Sequence, residues 1–69
     1  MEGDIYVVPA GEGWAVDEVG GFRRTIYATR DDAIADSTAR AKKANVELVI
    51  FDSDGEVSER ISFRPGTRH

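Results

Sequence analysis

Two glycines and a tryptophan stand together at residues 10–14, where a turn could hold a ligand. The run Ala10-Gly11-Glu12-Gly13-Trp14 contains the only tryptophan of the 69 residues. A glycine-rich phosphate loop needs a following helix whose N-terminal amides face the anion. The segment after Gly13, WAVDEV, is typical of a strand and offers no helix N-terminus. We therefore interpret the turn as the bend of a hairpin and place the Trp14 ring in the core.

Acidic residues and one histidine are the other groups that could bind a metal or transfer a proton. Residues 52–56, DSDGE, begin like a calcium loop, but the sixth position is Val57 instead of glycine and the twelfth is Phe63 instead of glutamate. His69 is the only histidine, and the sequence has no cysteine. Neither a Ser-His-Asp or Cys-His arrangement nor a cysteine zinc site can therefore be assembled. We expect no catalytic residue, no metal site and no cofactor.

Basic residues near two aromatic rings could instead bind nucleic acid. If they converge beside Phe22 and Tyr27, they could follow a phosphate backbone while the rings stack on bases. The candidate patch consists of Arg23, Arg24, Arg40, Lys42 and Lys43. The formal net charge of −4 opposes this function, since phosphate binding needs a surplus of bases. The other interpretation is a solvated helix end at which Asp36 and Arg40 form an i, i+4 pair. Nucleic-acid binding is the alternative function.

Five segments have the alternating, β-branched pattern of strands, at residues 4–9, 14–19, 22–27, 46–51 and 56–63. Pro9 should end the first strand or place it at a sheet edge, because proline donates no ladder hydrogen bond. Residues 46–51 carry large apolar side chains on both faces, which predicts a central strand. Val57, Ile61 and Phe63 are expected to share one face.

A helix is predicted from Arg30 to Ala44. Thr29 is suited to the N-cap, and Asn45 to the left-handed position after the last turn. Acids at the start and lysines at the end favour the helix dipole. A stripe of mainly small residues, which predicts close packing on a sheet, consists of Ala33, Ile34, Ser37, Ala41 and Ala44.

The order of elements, β-β-β-α-β-β, predicts an α+β fold. We expect a single antiparallel sheet of four to five strands with one helix packed on one face. Residues 1–69 should form one domain, with a frayed tail at 64–69. No apolar run approaches the roughly 18 residues of a membrane helix. The acidic N-terminal residues are unlike a secretory signal, so we expect a cytoplasmic protein without membrane contact.

Several short segments together resemble a small bacterial family, domain of unknown function 2188. The most specific is the P-x-x-x-G-W-x-V run from Pro9 to Val16. The others are Tyr6–Pro9, Thr29 with Ala33-Ile34, Glu47–Ile50 and Asp54-Gly55. The resemblance extends from Tyr6 to about Pro65. It implies a compact α+β fold and no known activity.

The apolar residues that face away from the predicted core indicate a contact surface. One helix can cover only one face of a sheet, and an exposed apolar patch commonly marks an interface. This candidate partner surface consists of Tyr6, Val8, Val49 and Phe51. A 69-residue chain without disulfides also gains stability by burying apolar surface between subunits. We expect a small non-enzymatic interaction domain that self-associates as a dimer.

Overall fold

Hairpins and one crossover helix build an α+β fold. The computed structural model describes residues 3–19 and 24–65. The predicted frayed tail therefore lies mostly outside the described residues. The elements are β1 (Ile5–Ala10), β2 (Gly13–Glu18), β3 (Arg24–Tyr27), α1 (Arg30–Ala44), β4 (Glu47–Phe51) and β5 (Val57–Ser62). The predicted element order and the predicted helix bounds are confirmed.

The sheet is mixed, and the prediction of a purely antiparallel sheet is wrong. Its strand order is β3-β2-β1-β4-β5. β1 and β4 are parallel, whereas the other neighbours are antiparallel. β1 and β3 both run opposite to β2, so they share one direction. α1 carries the chain back along the sheet, and β4 therefore starts in that same direction and lies parallel to β1.

Pro9 lies inside the central strand, so it neither ends β1 nor marks an edge. β1 pairs with β2 as far as Ala10, and Pro9 is opposite Trp14. The amide of Val19 donates to the carbonyl of Asp4, so the even-numbered residues of β1 direct their backbone groups towards β2. The nitrogen of Pro9 consequently faces the β4 side, where pairing ends at Val7. The missing donor therefore removes no ladder bond. β4, predicted as central, lies one strand away from the centre.

Helix α1 is fixed by its ends and lies on the sheet through small side chains. The Thr29 hydroxyl accepts a hydrogen bond from the amide of Asp32 at 3.1 Å, and Asn45 adopts φ 58°. Ala33, Ser37 and Ala41 are fully buried, as the stripe predicted. The buried Ser37 hydroxyl donates to the carbonyl of Ile34 at 3.1 Å, which satisfies it.

The core lies between α1 and one face of the sheet. Large apolar residues from three adjacent strands fill it, and small helical residues close it. Its buried members are Ile5, Val7, Val16, Ala33, Ala41, Val46, Leu48 and Ile50. Trp14 is half-buried and packs against this cluster. Within the described ranges, no helix is long and apolar enough to cross a membrane.

Candidate functional site

The sheet face opposite α1, which we call the open face, is the candidate functional site. Side chains alternate between the two faces of a strand. Val7, Val16 and Ile50 point to α1, so the residues next to each of them along its strand point to the open face. No part of the described chain forms a second layer over this face. Its side chains are therefore available to a partner.

An apolar row crosses the open face at one end of the strands. Val8 is opposite Ala15, and Ala15 is opposite Ile26. Phe51 follows the last parallel pair, Val7 with Ile50, and so lies beside Val8. The apolar row consists of Ile26, Ala15, Val8, Phe51 and Val57. Its ends lie on the two edge strands of the described sheet, where Ile26 is 59% exposed and Val57 is 49% exposed.

Val57 reaches the open face because the β4–β5 ladder is irregular. Ile50 is opposite Glu59, but Phe51 is opposite Val57, with a register shift between them. Such a bulge inserts one residue into β5 and reverses the alternation beyond it. Val57 is therefore on the Phe51 side, while Ile61 and Phe63 pack against the core. The prediction that these three residues share a face is wrong.

The four residues predicted as a partner surface all lie on the open face. The rings of Tyr6 and Phe51 stack with centroids 6.0 Å apart and planes 26° apart. Both rings and Val8 are half-buried. Val49 is only 2% exposed, so it offers almost no surface of its own. The structure thus brings the four together and leaves three of them within reach of a partner.

Two ion pairs border the apolar row on the same face. Arg24 donates two hydrogen bonds to the Asp17 carboxylate, at 2.8 and 2.7 Å. This bidentate bond, followed by the nearby negative charge, raises the pKa of the Arg24 guanidinium. Near the opposite edge of the same face, Arg60 lies 3.7 Å from the Glu47 carboxylate. Each acid is matched by one base, so these four side chains carry no net charge.

The structure does not bring the predicted basic patch together. Arg24 lies on the open face, whereas Arg40 extends from α1 on the covered side. There Arg40 lies 3.0 Å from Asp36 and 3.5 Å from Glu18. Lys42 and Lys43 are exposed in the last helical turn. Arg23 is outside the described residues. Among the residues described, the sheet itself separates Arg24 from the other bases of the patch.

The glycine turn before Trp14 is a hairpin bend. Ala10 is opposite Gly13, and Gly11 adopts φ 60°, a conformation that favours glycine. Gly13 lies so close to β3 that an added Cβ would be 2.4 Å from the carbonyl oxygen of Tyr27. The Arg30 guanidinium lies 5.6 Å from the centre of the Trp14 ring. The turn thus brings three strands close together and packs Trp14 against the core.

The candidate calcium loop is a tight turn between β4 and β5. One Asp52 carboxylate oxygen accepts hydrogen bonds from the amides of Asp54, at 2.9 Å, and Glu56, at 3.1 Å. Gly55 follows with φ 85°. Across residues 3–19 and 24–65, no three histidine, cysteine or acidic residues cluster as metal ligands, and no pocket encloses a small molecule.

Ile26 and Val57 belong to the apolar row but were not among the residues predicted as a partner surface. Ile26 lies two residues after Arg24 on β3, so alternation places both side chains on the same face. The pairing of Ala15 with Ile26 shows that this face continues the apolar row. The spacing of Ile26 two residues after Arg24 was the available signal. Val57 had no such signal, because its orientation depends on a bulge in a long-range pairing.

A family model supports the resemblance noted at Pro9–Val16. The model, described as "Uncharacterized protein conserved in bacteria (DUF2188)", matches residues 5–63. This range contains every described strand and α1. No curated protein and no solved structure is significantly similar to the chain. The chain belongs to the bacterial family known as domain of unknown function 2188.

Proposed function

We propose that this protein is a non-enzymatic interaction domain that self-associates through its open face. The observation that supports this proposal is the apolar row across the described sheet. The two ends of the row, Ile26 and Val57, are about half exposed in the single chain. Apolar side chains exposed together on one side of a small domain are typical of a contact site. A second copy of the chain would remove this surface from water.

The charge of the open face favours a second copy as the partner. The whole chain has a formal net charge of −4, so two copies repel each other in general. On the open face, however, Arg24 neutralises Asp17, and Arg60 lies beside Glu47. Two open faces can therefore approach each other without burying an unpaired charge.

The size of the open face predicts a weak dimer. Five strands about 4.8 Å apart, each about five residues long, give a flat footprint of about 400 Å². A stable interface usually buries about 800 Å² on each partner, and smaller ones are transient. We expect a dissociation constant in the range of about 10–100 µM.

Sedimentation velocity over a concentration series tests the proposal. Between about 10 and about 300 µM, the wild-type chain should pass from mostly monomer to mostly dimer. Phe51→Glu and Val57→Glu should remain monomeric, because each places a charge in the apolar row. Ala39→Glu adds the same charge at an exposed position of α1 and should dimerise like wild type. A wild-type monomer throughout, or equal dimerisation of all the variants, would contradict the proposal.

Salt separates self-association from the nucleic-acid alternative. Binding to phosphates weakens steeply as salt rises, whereas apolar contact does not. We expect the dimer to persist when NaCl is raised from about 50 to about 500 mM. Binding of a labelled single-stranded oligonucleotide that falls with salt and is lost in an Arg40→Ala, Lys42→Ala, Lys43→Ala variant would favour the alternative.

A further inference from the structure

We infer that two copies pair about a twofold axis parallel to the strands, which brings Ile26 of each copy against Val57 of the other. This inference rests on the proposed self-association and specifies its geometry. It follows from the position of the apolar row on the open face and from the order of the residues along that row.

The apolar row lies towards one end of the open face. It occupies the carboxyl ends of β1, β3 and β4, in line with Val8, Ile26 and Phe51. The Asp17–Arg24 ion pair lies two residues away, towards the other end of β2 and β3. The Glu47–Arg60 pair is displaced in the same direction on β4 and β5. The open face thus has an apolar end and a charged end.

This polarity decides between the two ways in which two sheets can meet face to face. A twofold axis across the strands would place the apolar row of one copy on the ion pairs of the other. Those pairs would be desolvated against apolar side chains, which is unfavourable. An axis parallel to the strands places the apolar row on the apolar row and the charged end on the charged end. Arg24 then lies across from Arg60 of the second copy at the two edges of the contact, where each arginine keeps its own acid. The two sheets then have nearly aligned strands, as in common sheet packings.

The same axis reverses the strand order of the second copy relative to the first. Each member of the apolar row therefore faces another apolar residue. The contacts of a twofold interface are reciprocal. Val8 meets the second Val8 at the axis, and Ile26 meets Val57 at both ends. Ala15, which has no exposed surface in the single chain, lies across from Phe51 of the second copy. The exposed contacts of the row are therefore Val8 with Val8 at the axis and Ile26 with Val57 at both ends.

Cysteine cross-linking tests this geometry, because the chain has no native cysteine. Ile26 and Val57 are separated within one chain by four strand spacings, about 19 Å. A short bis-maleimide spans the about 10 Å between packed sheets but not that distance. We expect a mixture of Ile26→Cys and Val57→Cys to give the mixed covalent dimer, identified by its mass. Each variant alone should give at least about fivefold less product.

Mixing Ala39→Cys with Val57→Cys measures cross-linking by random collision and should give only that background. If Ile26→Cys alone links as well as the mixture while wild type still dimerises in sedimentation, the axis is wrong and self-association stands. If wild type sediments as a monomer throughout, both the axis and the proposed function are overturned.

A charge exchange gives an independent readout of the same contact. Ile26→Lys and Val57→Glu should each weaken the homodimer, because both reciprocal contacts then place a charge against an apolar side chain. In the mixed dimer, lysine faces glutamate at one contact and the native pair remains at the other. We expect the mixed dimer to be at least about fivefold tighter than either homodimer. Mixed and single-variant dimers of equal affinity would refute the contact.

Discussion

Both faces of this sheet carry apolar side chains, but the two faces differ in how deeply those side chains are buried. On the covered face, Val7, Leu48 and Ile50 are fully buried beneath α1. On the open face, burial is complete only at the centre, at Ala15 and Val49, and decreases towards both edges. The covered face therefore supplies the stability of the single chain. The open face retains apolar surface that no other element of the described chain covers.

The geometry of one helix explains this difference. A helix with its side chains is about 10 Å wide, whereas five strands span about 19 Å. α1 contacts β1, β2, β3 and β4, and among the described strands β5 contacts it least. On β5 the helix-side position opposite Ile50 is occupied by an exposed glutamate, Glu59. The same strand has an apolar Val57 on the open side, where no helix is present.

Leu48→Ala should have the largest effect on stability, because Leu48 is a large, fully buried residue of the covered face. We expect it to lower the free energy of unfolding by about 2–5 kcal/mol through lost burial and a cavity. Val57→Ala on the open face should change it by less than about 0.5 kcal/mol when the protein is monomeric. Urea denaturation of both variants at low micromolar concentration measures the difference. Similar losses for the two would break the distinction between the faces.

Ala41→Leu should have an intermediate effect, because Ala41 is a fully buried core residue on the sheet side of α1. The extra methyl and methylene groups should overpack the contact and lower the free energy of unfolding by about 1–3 kcal/mol. Ala39→Leu makes the same change on the exposed side of α1 and serves as the control. Urea denaturation should show Ala39→Leu close to wild type. The reverse order of stabilities would mean that α1 packs through another face.

Tyr27→Phe should have a smaller effect on the free energy of unfolding. Tyr27 packs at the edge of the core and bonds a polar residue of α1. The Tyr27 hydroxyl donates to the Asp36 carboxylate, and this bond, with some burial, raises the pKa of Tyr27. Removing it should cost about 0.5–1.5 kcal/mol at neutral pH. Because the folded-state pKa is raised, this contribution is complete below about pH 10, the pKa of an unperturbed tyrosine. It should decline as the pH rises through the folded-state pKa.

Urea denaturation of wild type and Tyr27→Phe between about pH 7 and about pH 11 measures this trend. The difference in free energy of unfolding should be constant up to about pH 9 and shrink at higher pH. A difference that grows with pH would contradict the assigned bond. A difference absent at every pH would show that the bond contributes nothing.

Local features of this fold were predictable from sequence, and pairings between distant segments were not. Thr29 and Asn45 fixed the helix bounds, because capping depends only on neighbouring residues. The parallel β1–β4 pair was missed, since strand direction depends on the path of α1 across the sheet. Pro9 was misplaced for a similar reason. Its missing donor matters only on the side of β1 that it faces.

The residues of the open face show the same division between local features, which were predictable, and distant pairings, which were not. Simple alternation placed Tyr6, Val8 and Phe51 correctly on the open face. It could not show that Val49 would be covered by its neighbours, because their packing spans two strands. It also could not place Val57, whose side of the sheet is set by the bulge opposite Phe51. The basic residues of the predicted patch come from β3 and α1, and the sheet lies between Arg24 and Arg40.

Dilution of isotope-labelled protein, followed by NMR chemical shifts, tests most directly whether the open face is the contact surface. As the protein is diluted from about 300 to about 10 µM, the signals of Ile26, Val8 and Val57 should shift together along one binding curve. Signals of Ala33 and Ala41, beneath α1, and of exposed Ala39 should stay in place. Shifts concentrated on α1 would contradict the account, as would spectra independent of concentration.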